Sequence, residues 1–402
     1  MSKRTKIVVT GMGAVSPYGI GVETLWKSLA AGTDGVAEVT RLPVEGYRVR
    51  QGGQFKGNPE ELGDCPSGDL ATRFLMTAAI EALLQAGLAG ATRRDRPVGV
   101  VVATNFAQME QGEKLMRALA EKTPCDGRAL EAFRTESAGL ALRRRLGLGG
   151  PVSVLSLSCA SGNAALGAAA EMLRHGRAEI VLAGGYDAIT EYAWAGLIAL
   201  RTMSAGKIRP FDAQRDGTIF GEGSACMVLE TEESARSRGV EVLAELAGYA
   251  TNNNAFHLTA PEKDGKSIAR AIARALEDGG IDPGEVDYVN AHGTATKYND
   301  STETMAIKEV LGRRAGEIPV NSIKSMIGHL MGAASVVEAV STIRTLQTGI
   351  VPPTIHYEKP DPECDLDCVP NVAREYPVRI ALNNSSGLGG CNSMVVFRKA
   401  GS

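Results

Sequence analysis

The chain has 402 residues, of which 44% are hydrophobic and 22% are charged, and its formal net charge is -3. A chain of this length forms one large or two intermediate domains with packed cores. Its balanced charge gives no indication of nucleic acid or an anionic membrane surface as a partner, and no apolar run reaches transmembrane length. We therefore expect neither nucleic acid nor membrane among its partners.

The cysteines indicate a reducing compartment. They are seven in number and scattered along the chain, which argues against a disulfide framework and favours a cytoplasmic location. Cys364 and Cys368 are spaced C-x-x-x-C, but no second Cys/His pair completes a metal site, so we predict no metal. The N-terminus, MSKRTKIVVTGMG, has too short an apolar run for a signal peptide and is predicted to be a first strand.

The first half of the chain alternates short apolar strands with helices, a pattern typical of α/β proteins. Strands are predicted at 6–10, 98–103, 152–157, 179–183 and 224–230. Helices are predicted at 22–31, 71–86, 108–121, 130–146, 163–174 and 232–238. Gly11 and Gly13 are predicted to end the first strand, and Gly184 and Gly185 to close the strand at 179–183. Residues 32–69 are expected to form a surface excursion.

From residue 242 the same order of elements begins again. Strands are predicted at 242–249, 286–291, 318–323, 379–383 and 393–398, and helices at 265–279, 303–311 and 333–346. No low-complexity linker separates the two parts. We therefore expect two similar halves, 1–241 and 242–402, that share one core.

Cys159 lies where a buried strand meets an Ala-rich helix, in the turn Ser-Cys-Ala-Ser-Gly. This arrangement presents the thiol at a helix N-terminus, whose free N–H groups favour the thiolate, and the small neighbours allow a substrate to approach. A buried structural cysteine is the alternative, because free cysteines are often buried. The catalytic interpretation requires a base elsewhere in the chain.

Three further motifs supply polar groups at strand ends, where α/β folds place their sites. His292 lies in VNAHGTATKYND, and Lys324 and His329 lie in NSIKSMIGHLMGAA, the turn that mirrors the one around Cys159. Near the C-terminus, NNSSGLGGCNSMVVF places Gly387, Gly389 and Gly390 around Leu388. The other histidines, His175, His257 and His356, are interpreted as structural or surface residues.

Together these motifs resemble those of the β-ketoacyl-acyl-carrier-protein synthases, specifically the elongating Cys-His-His ketosynthases of type II fatty-acid and polyketide systems. The resemblance covers essentially the whole chain, including VVTGMGAVSP and RPFDAQRDGTIFGEG. It implies the thiolase fold, an αβαβα sandwich of two similar halves, the first carrying the nucleophile and the second both histidines. It also implies an acyl carrier protein as partner, substrates held on its phosphopantetheine, no further cofactor, and a homodimer, with a heterodimer as the alternative.

The resemblance assigns roles to individual residues. Cys159 would carry the acyl group as a thioester, with the backbone N–H groups of Cys159 and Leu388 as the oxyanion hole. His292 and His329 would stabilise the enolate formed when malonyl loses CO2. Lys324 would pair with Glu338, because a buried lysine needs a partner. The remaining assignments are Thr294 and Thr296 to the pantetheine arm, Gly387, Gly389 and Gly390 to support of the turn, and Arg201, Lys207 and Arg209 to carrier docking.

The turn Ser386-Gly387-Leu388 departs from the family, whose elongating members carry phenylalanine at both flanking positions. We expect a wider acyl entrance, unless Phe106 or Phe220 fills the vacated volume. The predicted reaction is a decarboxylating Claisen condensation that gives 3-oxoacyl-acyl carrier protein, in fatty-acid or polyketide biosynthesis.

Two other functions are alternatives to this reaction. One is a non-elongating partner subunit of a ketosynthase heterodimer, but such subunits lack the active cysteine, which this chain has. The other is a thiolase-like acyltransferase with a Cys-His-Cys site, for which Cys391 in the last turn is the candidate. The KSMIGH motif is that of the synthases and argues against it.

Overall fold

A computed structural model describes residues 5–65, 68–88, 97–125 and 127–401. Within these ranges the strands are β1 (Ile7–Ser16), β2 (Gly19–Ile20), β3 (Ala37–Glu38), β4 (Gln51–Gly52), β5 (Val98–Ala103), β6 (Val152–Leu155), β7 (Ile180–Asp187), β8 (Gly223–Thr231), β9 (Ala244–Asn253), β10 (Tyr288–Asn290), β11 (Val320–Asn321), β12 (Ile350–Val351), β13 (Arg374–Glu375), β14 (Ile380–Ser386) and β15 (Cys391–Lys399). The helices are α1 (Val22–Ala30), α2 (Leu70–Gln85), α3 (Met109–Glu121), α4 (Gly127–Phe133), α5 (Ser137–Leu146), α6 (Ser161–Arg174), α7 (Glu191–Ala199), α8 (Glu232–Arg238), α9 (Lys266–Gly279), α10 (Asn299–Leu311), α11 (Lys324–Ile327) and α12 (Ala334–Thr348).

The main sheet runs in the order β11-β10-β14-β15-β9-β1-β8-β7-β5-β6, with β2 paired to β1. Each half contributes five of these strands in the same internal order. In both halves the outer three strands are parallel and the inner ones antiparallel. The halves join through the antiparallel pair of β1 and β9. The repeat seen in the sequence is therefore a repeat of topology, and residue 241 lies in the connection between α8 and β9.

Two helices form the central layer. α6 and α12 pack against each other, and each contacts strands of both halves. Their facing residues are small or β-branched and fully buried, among them Ala165, Ala169, Val336 and Val340. On the outer faces, α2 covers β1, β8 and β7, while α9 covers β9 and β15. Helix and sheet layers thus alternate as the predicted αβαβα sandwich requires.

The glycines of β1 and β7 do not end their strands, contrary to the prediction. β1 continues through Gly11 and Gly13, where an added Cβ would lie 2.1 and 2.0 Å from carbonyl oxygens of α2. β7 continues through Gly184 and Gly185 as far as Asp187, and a Cβ on Gly185 would lie 2.6 Å from the carbonyl oxygen of Gly332. These glycines therefore permit close packing of helix on strand rather than a turn.

Two other segments differ from the sequence-based prediction. The excursion at 32–69 is not only surface, because Val39, Val44 and Val49 pack with Trp194 of α7 in a small buried cluster. The helix predicted over 130–146 is divided into α4 and α5. No helix in the described part of the chain is long and apolar enough to cross a membrane.

Candidate active site

The three side chains proposed for chemistry come together at the ends of β6, β10 and β11. The sulfur of Cys159 and one ring nitrogen each of His292 and His329 lie within 4.8 Å of one another. The two imidazole rings are 5.5 Å apart and nearly perpendicular. The repeated topology explains this convergence, since equivalent parallel strands of each half deliver their carboxyl-end turns to one place.

The turn that carries Cys159 is sharp and tightly held. Ser158 has a backbone φ of 50°, a value that residues other than glycine rarely adopt. The Leu157 N–H donates to Ser161 Oγ at 2.8 Å, and Ser385 Oγ donates to the Cys159 carbonyl at 2.8 Å. Gly387 is required beside it, because a Cβ there would lie 3.0 Å from the Cys159 nitrogen. The GLGG turn therefore lies against the backbone of the nucleophile.

Burial governs the protonation of Cys159. It raises the pKa of the thiol to about 11, although the charge of Lys324 and the N–H groups of Leu388 and Cys159 act in the opposite direction. The resting residue is therefore a thiol at neutral pH. The expectation that a helix N-terminus would favour the thiolate fails here, because desolvation of the sulfur outweighs the nearby donors. The backbone N–H groups of Leu388 and Cys159 both lie close to the sulfur.

Both histidines are neutral at neutral pH. Burial, followed by the positive charge of Lys324, lowers the pKa of His292 and of His329 well below the usual value. The Met331 N–H donates to Nδ1 of His329 at 3.1 Å, so the neutral ring carries its proton on Nε2. That Nε2 has no partner among the described residues. It is thus an unoccupied hydrogen-bond donor.

This tautomer also bears on metal binding. Cys159, His292 and His329 are close enough to ligate one ion. A ligating imidazole must offer a lone pair, however, and Nε2 of His329 carries a proton as long as Nδ1 accepts from Met331. This set of donor atoms therefore does not suit a metal ion. That the reaction uses no metal remains a prediction.

His292 is oriented through its backbone by a residue that sequence analysis missed. The N–H groups of His292 and Gly293 donate to the two carboxylate oxygens of Glu303 at 2.8 and 2.9 Å. Burial raises the pKa of Glu303 to about 7. The available signal was its place at the start of the helix predicted at 303–311, although α10 begins at Asn299 and Glu303 lies in its second turn.

Lys324 and Glu338 form an ion pair, as the resemblance implied. Their side chains are 1% and 2% exposed, on α11 and α12. Burial raises the pKa of Glu338, although Lys324 acts to lower it. The ammonium group lies close enough to lower the pKa of both histidines and of Cys159. Lys324 is therefore a fixed positive charge behind the site.

These groups open into one cavity of about 640 Å³. The inner wall is largely apolar, with Phe106, Leu197, Phe220 and Met331, and the Phe220 ring stacks on His329 at 5.5 Å. Polar groups also line the cavity, among them the hydroxyls of Thr294 and Thr296, which are 2.9 Å apart. Leu388, Gly389 and Gly390 line the cavity from the C-terminal turn. Both phenylalanines proposed as fillers of the missing ring volume thus line the cavity without closing it.

A second carboxylate that sequence analysis missed holds the inner wall. Asp187, at the end of β7, accepts hydrogen bonds from Thr104 Oγ1 and from the N–H groups of Asn105, Phe106 and Gly332. Burial raises its pKa to about 6, which leaves it ionised at neutral pH. It ties the Phe106 loop to the segment that follows His329. The strand predicted there ends at residue 183, so the sequence held no signal for it.

The proposed docking residues differ in their surroundings. Arg201 is exposed, lies between the cavity-lining residues Leu200 and Thr202, and forms no ion pair within the described chain. Lys207 faces Asp34 at 3.4 Å, and Arg209 faces Glu358 at 3.6 Å. Arg201 is therefore the freest of the three to meet a partner. Cys391 does not belong to the described lining of the cavity and instead accepts from Asn253.

Comparison with known proteins identifies the family. The model for the N-terminal domain of beta-ketoacyl synthases matches residues 4–235, and that for the C-terminal domain matches residues 243–358. The chain is 37% identical to 3-oxoacyl-[acyl-carrier-protein] synthase 2 of Staphylococcus aureus (strain COL), over 99% of both proteins. It is 38% identical to the tetracenomycin polyketide synthase ketoacyl synthase alpha subunit of Streptomyces glaucescens, over 98% of this chain and 97% of the relative.

A solved structure agrees with this assignment. The ketosynthase of a type II polyketide acyl-carrier-protein complex, described as AntDE:AntF bound to the hexaketide, superposes with a TM-score of 0.92 at 37% identity, over 99% of this chain and 100% of that one. The fold is thus the thiolase fold of the condensing enzymes. The chain belongs to the beta-ketoacyl synthase family and is an acyl-transferring condensing enzyme.

Proposed function

We propose that the protein condenses an acyl group held on Cys159 with malonyl-acyl carrier protein, releasing CO2 and giving 3-oxoacyl-acyl carrier protein. The observation that carries this proposal is the meeting of one thiol and two neutral imidazoles within 4.8 Å at the inner end of a mostly apolar cavity. A non-elongating subunit does not require a thiol and two imidazoles in this arrangement. A thiolase-like site would need a second cysteine in the cavity.

In the first half-reaction, Cys159 attacks the thioester of the incoming acyl carrier. Negative charge develops on the carbonyl oxygen, and the N–H groups of Cys159 and Leu388 stabilise it. The bond from the carbonyl carbon to the carrier sulfur then breaks. The proton of the Cys159 thiol ends on the departing carrier thiol, so charge is balanced at the end of the step.

In the second half-reaction, the carbonyl oxygen of malonyl accepts hydrogen bonds from the imidazoles of His292 and His329. The bond to the carboxylate breaks, CO2 leaves, and the electron pair forms an enolate whose charge the two rings stabilise. The enolate carbon attacks the acyl thioester on Cys159. The cysteine leaves as a thiolate and takes a proton from solvent.

The partner and assembly are proposed on separate grounds. The cavity-lining residues Thr294 and Thr296 offer hydroxyls to the amides of a phosphopantetheine arm, and Arg201 offers an exposed cation to an acidic carrier. Among the described strands β6 ends the main sheet and pairs only with β5, and its residues are partly exposed throughout. Because an exposed strand edge favours pairing with another chain, we propose a dimer through β6, homodimeric before heterodimeric. The odd, scattered set of seven cysteines agrees with a cytoplasmic location.

The test uses an acyl carrier protein loaded first with a short acyl primer and then with malonyl. Intact-protein mass spectrometry should show one acyl adduct on the enzyme and none on Cys159→Ala. Labelled CO2 should be released from malonyl-carrier. An adduct that survives Cys159→Ala would overturn the assignment of the nucleophile, and a loaded enzyme that releases no CO2 would favour the non-elongating alternative.

A further inference from the structure

Thr218 lines the cavity, in a segment whose backbone forms hydrogen bonds with both histidine-bearing turns. Its N–H donates to the Thr202 carbonyl and its carbonyl accepts from the Ser204 N–H, both at 2.8 Å. The Gly217 N–H donates to the carbonyl of Ala295 at 3.0 Å, and the His329 N–H donates to the carbonyl of Ile219 at 2.7 Å. The backbone on both sides of Thr218 is therefore fixed.

The hydroxyl of Thr218 has no hydrogen-bond partner among the described residues. The residue is 2% exposed and lines the cavity. Buried hydroxyl groups are nearly always hydrogen-bonded, because burial removes their water partners and an unpaired buried hydroxyl is costly in free energy. An unpaired, buried hydroxyl on a residue that lines a substrate cavity thus indicates a partner on the substrate.

The position of Thr218 limits which substrate atom this is. Alternate residues of an extended segment face the same side, so Thr218 shares its face with Phe220, while Ile219 points into a separate buried cluster. Phe220 stacks on His329, and Thr218 is one step of roughly 7 Å further along that face. Gly217 donates to Ala295, which lies between Thr294 and Thr296 in the chain, and Ile219 accepts from His329, so Thr218 is held between these two parts of the site.

We propose that Thr218 Oγ1 donates a hydrogen bond to the free carboxylate of the malonyl extender. This inference rests on the proposed condensation. The malonyl carboxylate lies two bonds from the carbonyl that the histidines receive, within reach of the neighbouring wall. The described residues lining the cavity include no lysine or arginine, so a carboxylate entering it depends on neutral donors. A hydrogen bond to an ionised acceptor is stronger than a neutral one.

The proposed bond exists before CO2 leaves and is lost with it. An interaction made in the ground state lowers KM for the extender without raising the rate of the chemical step. Thr218 is accordingly a specificity residue for the carboxylated extender. It is not predicted to affect acylation of Cys159, whose substrate has no carboxylate.

The decisive variants are Thr218→Val, which keeps shape and removes the hydroxyl, and Thr218→Ser, which keeps the hydroxyl. With enzyme already acylated on Cys159, we expect Thr218→Val to raise KM for malonyl-acyl carrier protein about 10- to 100-fold, with kcat retained. Thr218→Ser should restore most of the loss. Ser341→Ala is the matched control, because Ser341 has an unpartnered buried hydroxyl outside the described cavity lining.

Three outcomes bear on the proposal. A rise in KM for malonyl-carrier, with an unchanged inhibition constant for unloaded carrier and an unchanged acylation rate, supports the carboxylate as the acceptor. An unchanged KM in Thr218→Val overturns the proposal. A loss that appears equally in acylation also overturns it, because the acceptor would then be on the acyl chain. If wild-type enzyme releases no CO2, the proposed condensation fails before Thr218 is tested.

Discussion

Removing either partner of the buried pair Lys324–Glu338 should destabilise the protein, with opposite dependences on pH. Both side chains are almost completely buried, and Oε2 of Glu338 has no partner among the described residues. Among the described residues, Glu338 is the carboxylate that accepts a hydrogen bond from Lys324, while Glu303 senses the charge of Lys324 from a greater distance. Breaking such a pair typically costs about 3–5 kcal/mol of unfolding free energy. We expect this range for Glu338→Gln near neutral pH.

The sign of each pH dependence follows from whether the remaining side chain binds its proton more tightly in the folded or in the unfolded state. In Lys324→Met the remaining carboxyl has a raised pKa, so the folded state binds more protons than the unfolded state. Its stability is then present at low pH and is lost as pH rises, by up to about 1.4 kcal/mol per pH unit. In Glu338→Gln the buried ammonium group loses its proton more readily when folded, so stability rises with pH.

The assay is urea unfolding at several pH values between 5 and 9, for both single variants and the double variant Lys324→Met/Glu338→Leu. The double variant should recover much of the lost stability and show the smallest pH slope, because no charge is left buried. Single variants with equal slopes, or a double variant whose loss is the sum of the singles, would refute the idea of an isolated pair.

Stability and activity should separate in the double variant. The charge of Lys324 helps to lower the pKa of His292 and His329, and its removal should raise both. Condensation needs neutral rings, so the acid limb of its pH–rate profile should move to higher pH. An unmoved acid limb in a well-folded double variant would show that burial alone keeps the histidines neutral.

Further predictions test other parts of the site. His292→Ala and His329→Ala should each lose about 100- to 1000-fold in CO2 release while losing far less acyl loading, and equal loss of both half-reactions would contradict the roles. Burial raises the pKa of Asp187 to about 6, so the stability of the folded protein should fall as pH rises through 6 and this carboxyl ionises. Below pH 6 the protonated carboxyl releases its donors, so the rate of condensation should fall. Asp187→Asn should show this low rate at every pH. Arg201→Glu should raise KM for carrier-bound substrate while sparing a small thioester analogue, and an equal effect on both would remove Arg201 from the docking surface.

The residues predicted from sequence are those whose type and position along the chain carry the information. Cys159, His292 and His329 each follow a short buried strand within a turn of small residues, and a repeated order of strands places such turns together. The glycines of β1 were misassigned because their role depends on carbonyl oxygens about seventy residues away. Local pattern indicates a turn there, whereas the tertiary structure requires a close approach.

Asp187 and Thr218 show the same limit for the site itself. Nothing in the sequence around Asp187 indicates that it accepts hydrogen bonds from a loop over 80 residues earlier and from Gly332. Thr218 is an ordinary residue in a charged, turn-rich stretch, and only burial without a partner distinguishes it. Likewise, the elevated pKa of Cys159 depends on enclosure of the sulfur, which spacing along the chain does not reveal.

The last prediction concerns Leu388, whose side chain and backbone have separable roles. The turn is held by backbone bonds: Gly387 N–H donates to the Cys391 carbonyl, and Gly389 N–H to the Leu258 carbonyl, both at 2.7 Å. A change of side chain should therefore leave the Leu388 N–H in place as an oxyanion donor. Leu388→Phe is then expected to retain acylation of Cys159 by a short primer.

The same substitution should narrow the entrance to the inner wall, where Phe106 and Phe220 already supply two rings. Branched or aryl primers should lose about tenfold or more in kcat/KM relative to straight chains, a difference typical of one misplaced methylene or more. Leu388→Met, which conserves volume, is the control and should behave as wild type. Competition between branched and straight primers measures the ratio directly. A wild-type enzyme that already prefers straight saturated chains, with the ratio unchanged in Leu388→Phe, would show that the two phenylalanines and not residue 388 determine the width of the entrance.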